Sequence, residues 1–104
     1  MITATFVYEG AECIREFLID GHAGYAEEGY DIICSAVSAL AINTINAIET
    51  LTDVKIRYED ADGRLSCIVE DSSDEKAQLL LQALVLGITS IRDSYGDEFV
   101  TLNI

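Results

Sequence analysis

The chain contains no proline. No reversal is therefore set by a pyrrolidine ring, and each turn must rest on Gly, Asn, Asp or Ser. Basic residues are also scarce: six Lys and Arg face 19 Asp and Glu, for a formal net charge of −13. So little positive charge argues against nucleic acid as a direct ligand, because phosphate contacts need a basic surface. The acids either keep a small domain soluble or speed its encounter with a basic partner. Histidine occurs once, at His22, and cysteine three times, at Cys13, Cys34 and Cys67. That irregular spacing makes neither a disulfide framework nor a CxxC pair, which suits a reducing compartment. With a single histidine it also leaves no plausible zinc site, so neither metal nor cofactor is expected. No apolar run approaches the ~20 residues that span a bilayer. The start, Met1-Ile2-Thr3-Ala4-Thr5, lacks the basic opening of a signal peptide. The expectation is a cytoplasmic protein with no membrane partner.

What is present is a chain of 104 residues, half of them hydrophobic, enough for one domain over 1–104 with one modest core. Residues 2–8 are rich in β-branched and aromatic side chains and read as a strand. Glu9-Gly10 turns the chain into a second strand over 13–19, with Cys13, Phe17 and Ile19 on one face. Cys13 then points at neighbouring side chains. From Cys34 to about Leu51 the period becomes helical, with Val37, Leu40, Ala41, Thr44, Ile45 and Ile48 in one stripe. Val54 to Tyr58 alternates as a strand, Asp62-Gly63 signals a hairpin, and Leu65, Cys67 and Val69 line the apolar face of the return. Cys67 thus reads as a buried structural thiol. Ser72-Ser73-Asp74-Glu75 has the form of a capping box with Ser72 as N-cap.

The helix after it runs to about Tyr95, with Leu80, Ala83, Leu84, Gly87, Ile88 and Ile91 as its core stripe. Gly87 costs ~1 kcal/mol relative to alanine in mid-helix, a cost that close approach to the alanine-rich first helix would offset. Leu79, Leu81, Val85 and Leu86 widen the apolar surface beyond one stripe, which predicts a homodimer. Phe99 to Ile104 closes the chain as a strand. The order ββαββαβ predicts an α+β domain: a largely antiparallel sheet of about five strands with both helices on one face.

One connection is long, Asp20 to Ile33, and it holds three of the seven glycines. Long structureless connections in a compact domain are uncommon and often functional. The only histidine stands at one edge, in Gly21-His22-Ala23-Gly24, and Cys34 opens the helix at the other. A helix N-terminus and a nearby imidazolium both favour the thiolate, the reactive form of cysteine. A Cys-His pair is a general way to activate this nucleophile. The backbone amides of Cys34 and Ser35 at the helix start would stabilise an oxyanion. Asp31 has three readings: a charge that opposes the thiolate, a partner that orients His22, or a brace where loop meets helix. Ser38, one turn after Cys34, shares its face and would line a substrate groove. Gly21, Ala23, Gly24, Tyr25 and Tyr30 belong to the loop, read either as plain surface or as a lid that closes over a bound peptide.

Gly21-His22-Ala23, followed by a mobile loop, then by Asp31-Ile32-Ile33-Cys34 stepping into Ser35-Ala36-Val37-Ser38, resembles the motif of the bacterial ribosomal-processing cysteine proteases, the Prp family. Length and element order match as well, so the resemblance covers the whole chain. It implies an endopeptidase with His22 and Cys34 as the catalytic pair. It further implies a substrate: the short N-terminal extension of a large-subunit ribosomal protein, namely ribosomal large-subunit protein twenty-seven. Two other readings compete. One is an acidic, non-catalytic binding module for a basic ribosomal partner, with Cys34 structural. The other is a thiol-dependent hydrolase of a different acyl bond, such as a thioester.

Overall fold

The computed structural model describes the backbone of residues 1–21, 30–61 and 63–104, and the side chains of all of these except 30 and 31. Seven elements follow one another: β1 (Ile2–Glu9), β2 (Cys13–Asp20), α1 (Tyr30–Leu51), β3 (Ile56–Ala61), β4 (Arg64–Val69), α2 (Glu75–Tyr95) and β5 (Val100–Asn103). The strands form one sheet in the order β3-β4-β2-β1-β5. Every neighbouring pair is antiparallel except β1 and β5, which run parallel. The predicted ββαββαβ architecture is therefore the one observed.

The core forms where helix stripes meet the inward face of the sheet. α1 contributes Ile33, Val37, Ala41, Ile45 and Ile48, α2 contributes Ala77, Leu81, Leu84 and Ile88, and the strands contribute Ile2, Ala4, Phe6, Phe17, Ile19, Leu65, Cys67 and Val69. Each large apolar side chain buried this way stabilises the fold by roughly 1.5–3 kcal/mol. Thr44, the polar member of the α1 stripe, is tolerated because its hydroxyl donates to the Leu40 carbonyl at 2.8 Å. Gly87 lies where the helices meet: a Cβ there would stand 2.8 Å from Cδ1 of Leu40. The close approach expected from sequence is real.

Five sequence expectations need correction. In β2 the strict alternation breaks, because Val7 pairs with Glu16 while Tyr8 pairs with Ile14, leaving Arg15 as an extra, bulged residue. The inward set is consequently Ile14, Phe17 and Ile19, and Cys13 is only half-buried at the strand's start. α2 is capped by Asp74, not Ser72: the Asp74 carboxylate accepts the Ala77 amide at 2.9 Å. Ser72 instead donates to Glu9 at 2.6 Å. β3 starts two residues later than expected, with Lys55 still held by the Glu70 amide at 3.0 Å. α1 begins at Tyr30, four residues before Cys34, so the connection is shorter than predicted. Finally, Ile32–Leu51 is long and apolar enough by composition to cross a bilayer. It interrupts its apolar run with Ser, Thr, Asn and Glu, which hid it from a search for unbroken runs. Its buried stripe packs on the sheet as a core helix does.

Candidate active site

One end of the sheet gathers the motif. Antiparallel pairing sets Thr3 opposite Asp20, and Asp20 opposite Arg64, so the start of β1, the end of β2 and the β3–β4 turn lie side by side. Gly21 follows directly and is held there, its amide donating to the Gly63 carbonyl at 2.9 Å. Its φ is +91°, a left-handed backbone that glycine adopts without a Cβ penalty. There is also no room for a side chain, since a Cβ would come 2.6 Å from the Met1 carbonyl oxygen.

α1 returns over this corner and brings Cys34 to it. The thiol donates to the Gly21 carbonyl with an S···O distance of 3.9 Å, a long and weak contact. Thirteen residues of sequence separation thus collapse to one contact between Cys34 and the residue before His22. Cys34 exposes only 5% of its surface. Ser38 lies half-buried one turn further along, and Ser35 is exposed.

The helix start changes two expectations. Cys34 is the fifth residue of α1, and the helix-dipole effect fades within the first turn. The dipole therefore acts on this sulfur less than a Cys at the helix start would feel. In an α-helix beginning at Tyr30, the ladder of i to i−4 bonds engages the amides of Cys34 and Ser35. While the first turn is wound, those amides are not free oxyanion donors. Asp31 and Tyr30 are helical residues of that first turn, so Asp31 no longer precedes the helix as a capping residue. His22, Ala23, Gly24, Tyr25 and the lid reading lie outside the described residues.

The other two thiols differ from Cys34. Cys67 is fully enclosed on β4, and burial, reinforced by the carboxylates of Glu49 and Glu16, pushes it up to about 12. That is the structural thiol the alternation predicts. Among the described residues no group of three His, Cys, Asp or Glu could hold a metal. Two open depressions, about 400 Å³ at Glu49, Thr52 and Asp53 and about 210 Å³ at Glu16, Glu59 and Arg64, are lined by neither Cys34 nor Gly21. Sequence reasoning missed the carbonyls of Met1 and Gly63 as neighbours of Gly21. The Asp62-Gly63 pair was legible as a turn, but only the strand register shows what that turn touches.

A buried thiol on a core helix, in contact with the residue that precedes the chain's only histidine, defines a candidate cysteine hydrolase. Comparison with known proteins makes this specific. The chain matches the family model "Cysteine protease Prp" over residues 1–100. A ribosomal processing cysteine protease Prp of Bacillus subtilis is 31% identical over 111 residues, covering 100% of this chain and 99% of that protein. The crystal structure of the Staphylococcus aureus ribosomal processing protease Prp with a substrate peptide superposes with a TM-score of 0.93 at 30% identity, covering 99% and 98% of the two chains. The same S. aureus protease with a covalently linked product peptide gives 0.85 at 32% identity, with the same coverage. The chain belongs to the Prp family of cysteine proteases.

Proposed function

We propose that this chain removes a short N-terminal extension from a large-subunit ribosomal protein, with Cys34 as nucleophile and His22 as acid and base. The observation that carries the reading is the contact between the Cys34 thiol and the carbonyl of Gly21, which brings the two ends of the motif to one corner. The relatives add support: their names describe ribosomal processing, and the S. aureus protease has been seen with its product peptide covalently linked, the kind of adduct a thiol nucleophile makes.

The reaction is acyl transfer. Cys34 passes its proton to His22 and attacks the scissile carbonyl. Collapse of the tetrahedral intermediate expels the amine, which takes the proton from the imidazolium. The N-terminal fragment stays on Cys34 as a thioester. Water, deprotonated by His22, then hydrolyses it and regenerates the thiol. The resemblance makes ribosomal large-subunit protein twenty-seven the substrate, and the net charge of −13 would speed encounter with a basic ribosomal protein. Such a reaction belongs in the cytoplasm, where ribosomes are built. The chain should work as a homodimer. Leu79 and Leu86 on α2 are 70% and 69% exposed and, seven residues apart, share one helix face, which leaves large apolar side chains for a second copy to cover.

The test is cleavage of a peptide spanning the extension and the first residues of the mature protein. The native chain should cut it once, and Cys34→Ala should be inactive with an unchanged circular dichroism spectrum. A well-folded Cys34→Ala that still cleaves would overturn the assignment. An inert native chain that binds the basic partner in a salt-sensitive way would favour the binding module. Faster hydrolysis of small thioesters than of the peptide would favour the other acyl hydrolase.

A further inference from the structure

β3 forms one edge of the sheet, and among the described residues no strand pairs with its outer side. Its pairing with β4 runs without a bulge from Ile56↔Val69 to Ala61↔Arg64, and no proline interrupts it. The Lys55 carbonyl accepts the Glu70 amide at 3.0 Å, which fixes the phase of the ladder. Bonded and outward-turned residues alternate along an antiparallel edge. Arg57, Glu59 and Ala61 therefore direct their backbone groups at β4, while Ile56 and Tyr58 turn theirs away from it. Such a row is a template for another extended chain. Tyr58 lies opposite the core residue Cys67, on the helix side of the sheet, yet is 55% exposed.

The two ends of this edge differ. One reaches the corner that carries Cys34: Ala61 leads into the turn where the Gly63 carbonyl accepts the Gly21 amide, and the Gly21 carbonyl meets the Cys34 thiol. The other opens on the depression of about 400 Å³, lined by Ile56, by the carboxylates of Glu49, Asp53 and Glu70, and by one cation, Lys55. The next cation along β3, Arg57, is already drawn to Glu70 at 4.0 Å.

We infer that the substrate residues after the scissile bond dock on this edge: the opening segment of the mature, basic protein adds as a further strand antiparallel to β3 and brings basic side chains to Glu49, Asp53 and Glu70. The inference rests on the reading of the chain as a peptidase for a ribosomal protein, and it states where that partner is held. The polarity follows from the favoured pairing, since parallel strands are slightly less stable per residue. β3 runs towards the corner, so an antiparallel partner runs away from it, and the chain that leaves Cys34 in that direction is the one C-terminal to the cut. The six residues of β3 span roughly 20 Å at about 3.3 Å each. About ten residues after the cut thus suffice to leave the corner, follow the edge and reach the carboxylates. Main-chain pairing supplies affinity in this mode, and selectivity comes from the side chains met along the way. Docking makes and breaks no covalent bond.

The experiment measures Kd by fluorescence anisotropy. It uses the full chain as Cys34→Ala, which holds the peptide without cutting it, and a labelled peptide that carries the extension and about ten residues beyond the cut. Tyr58→Pro removes an amide that β4 does not use, so the fold should stand. Added to Cys34→Ala, it should raise Kd about tenfold, at least three times more than Tyr58→Val, which removes the ring but keeps the amide. A set of peptides N-methylated at successive residues after the cut leaves the protein untouched, and so remains decisive even if the proline variant fails to fold. Kd should rise at every second position of that set. Glu49→Gln combined with Asp53→Asn should flatten the salt dependence of binding. Equal Kd values for Tyr58→Pro and Tyr58→Val, or an N-methyl series without a period of two, would overturn the docking mode. A dimer that becomes monomeric in Tyr58→Pro would assign the edge to a second copy and overturn it as well. A native chain that leaves the peptide uncut would instead remove the peptidase reading, so the two failures are distinct.

Discussion

Replacing Gln78 by methionine, an apolar side chain of similar length, should cost the fold a large share of its stability. Gln78 is buried, and its amide makes two long-range bonds to one residue: the Ile14 amide donates to Oε1 at 2.7 Å, and Nε2 donates to the Ile14 carbonyl at 2.7 Å. The need for them follows from the strand register. β4 pairs with β2 from Asp20 back to Glu16, opposite Ile68, and then ends at Val69. Ile14 lies just beyond, past the bulge at Arg15, so its polar groups on that side have no strand partner. The Gln78 amide serves as a one-residue substitute strand. Its loss strands a donor and an acceptor on a fully buried residue, at about 1–3 kcal/mol each. A total of roughly 3–5 kcal/mol would be a large share of the 5–15 kcal/mol that holds a typical domain together. In a chain of this size each kcal/mol moves the thermal midpoint by about 4–8 °C, so the fall should exceed about 10 °C. Gln78→Glu is the informative companion. Its carboxylate can still accept the Ile14 amide but cannot donate to the carbonyl, and its loss should equal or exceed that of methionine because a charge is buried as well. The assay is urea unfolding followed by far-ultraviolet circular dichroism. A loss below about 1 kcal/mol for Gln78→Met would refute the substitute-strand account.

Two further expectations can be checked with the same equipment. Cys67 has its thiol pushed from 9.0 up to about 12 in the folded chain, so between those values the unfolded chain releases a proton that the folded chain keeps. Its contribution is therefore complete below about pH 9 and is lost as pH rises towards 12, with a slope of at most about 1.4 kcal/mol per pH unit; urea midpoints should fall more steeply with pH in the native chain than in Cys67→Ala, and equal slopes would contradict this. The proposed homodimer should dissociate when Leu79 and Leu86 are both changed to glutamate, with sedimentation showing dimer for the native chain and monomer for the variant; a native chain that sediments as a monomer at every concentration would dismiss the interface.

The elements were legible because hydrophobic period and turn chemistry agreed along most of the chain. The α1 stripe from Val37 to Ile48 and the Asp62-Gly63 turn needed only local information. The misplacements share a cause, which is that long-range partners decided them. Arg15 bulges because β1 and β2 must each keep an inward face, and no pattern within β2 announces that. Ser72 was a plausible cap until Glu9, sixty-three residues away, captured its hydroxyl. The start of α1 was misread because Tyr30 to Ile33 follow glycines and resemble loop, although Ile33 is buried in the core. At the site, the motif pointed to Cys34 and His22, but the neighbours of Gly21 are the backbone carbonyls of Met1 and Gly63, which leave no residue-specific trace.

The central claim, that Cys34 carries the acyl group, is tested most directly by acid-quenching a reaction with the extended peptide and weighing the chain. The account predicts a mass increase equal to the N-terminal fragment, minus the water lost on forming the thioester, located by digestion on the segment containing Cys34. The adduct should be absent in Cys34→Ala. The same mass on Cys13, or rapid cleavage with no adduct at any quench time, would contradict it.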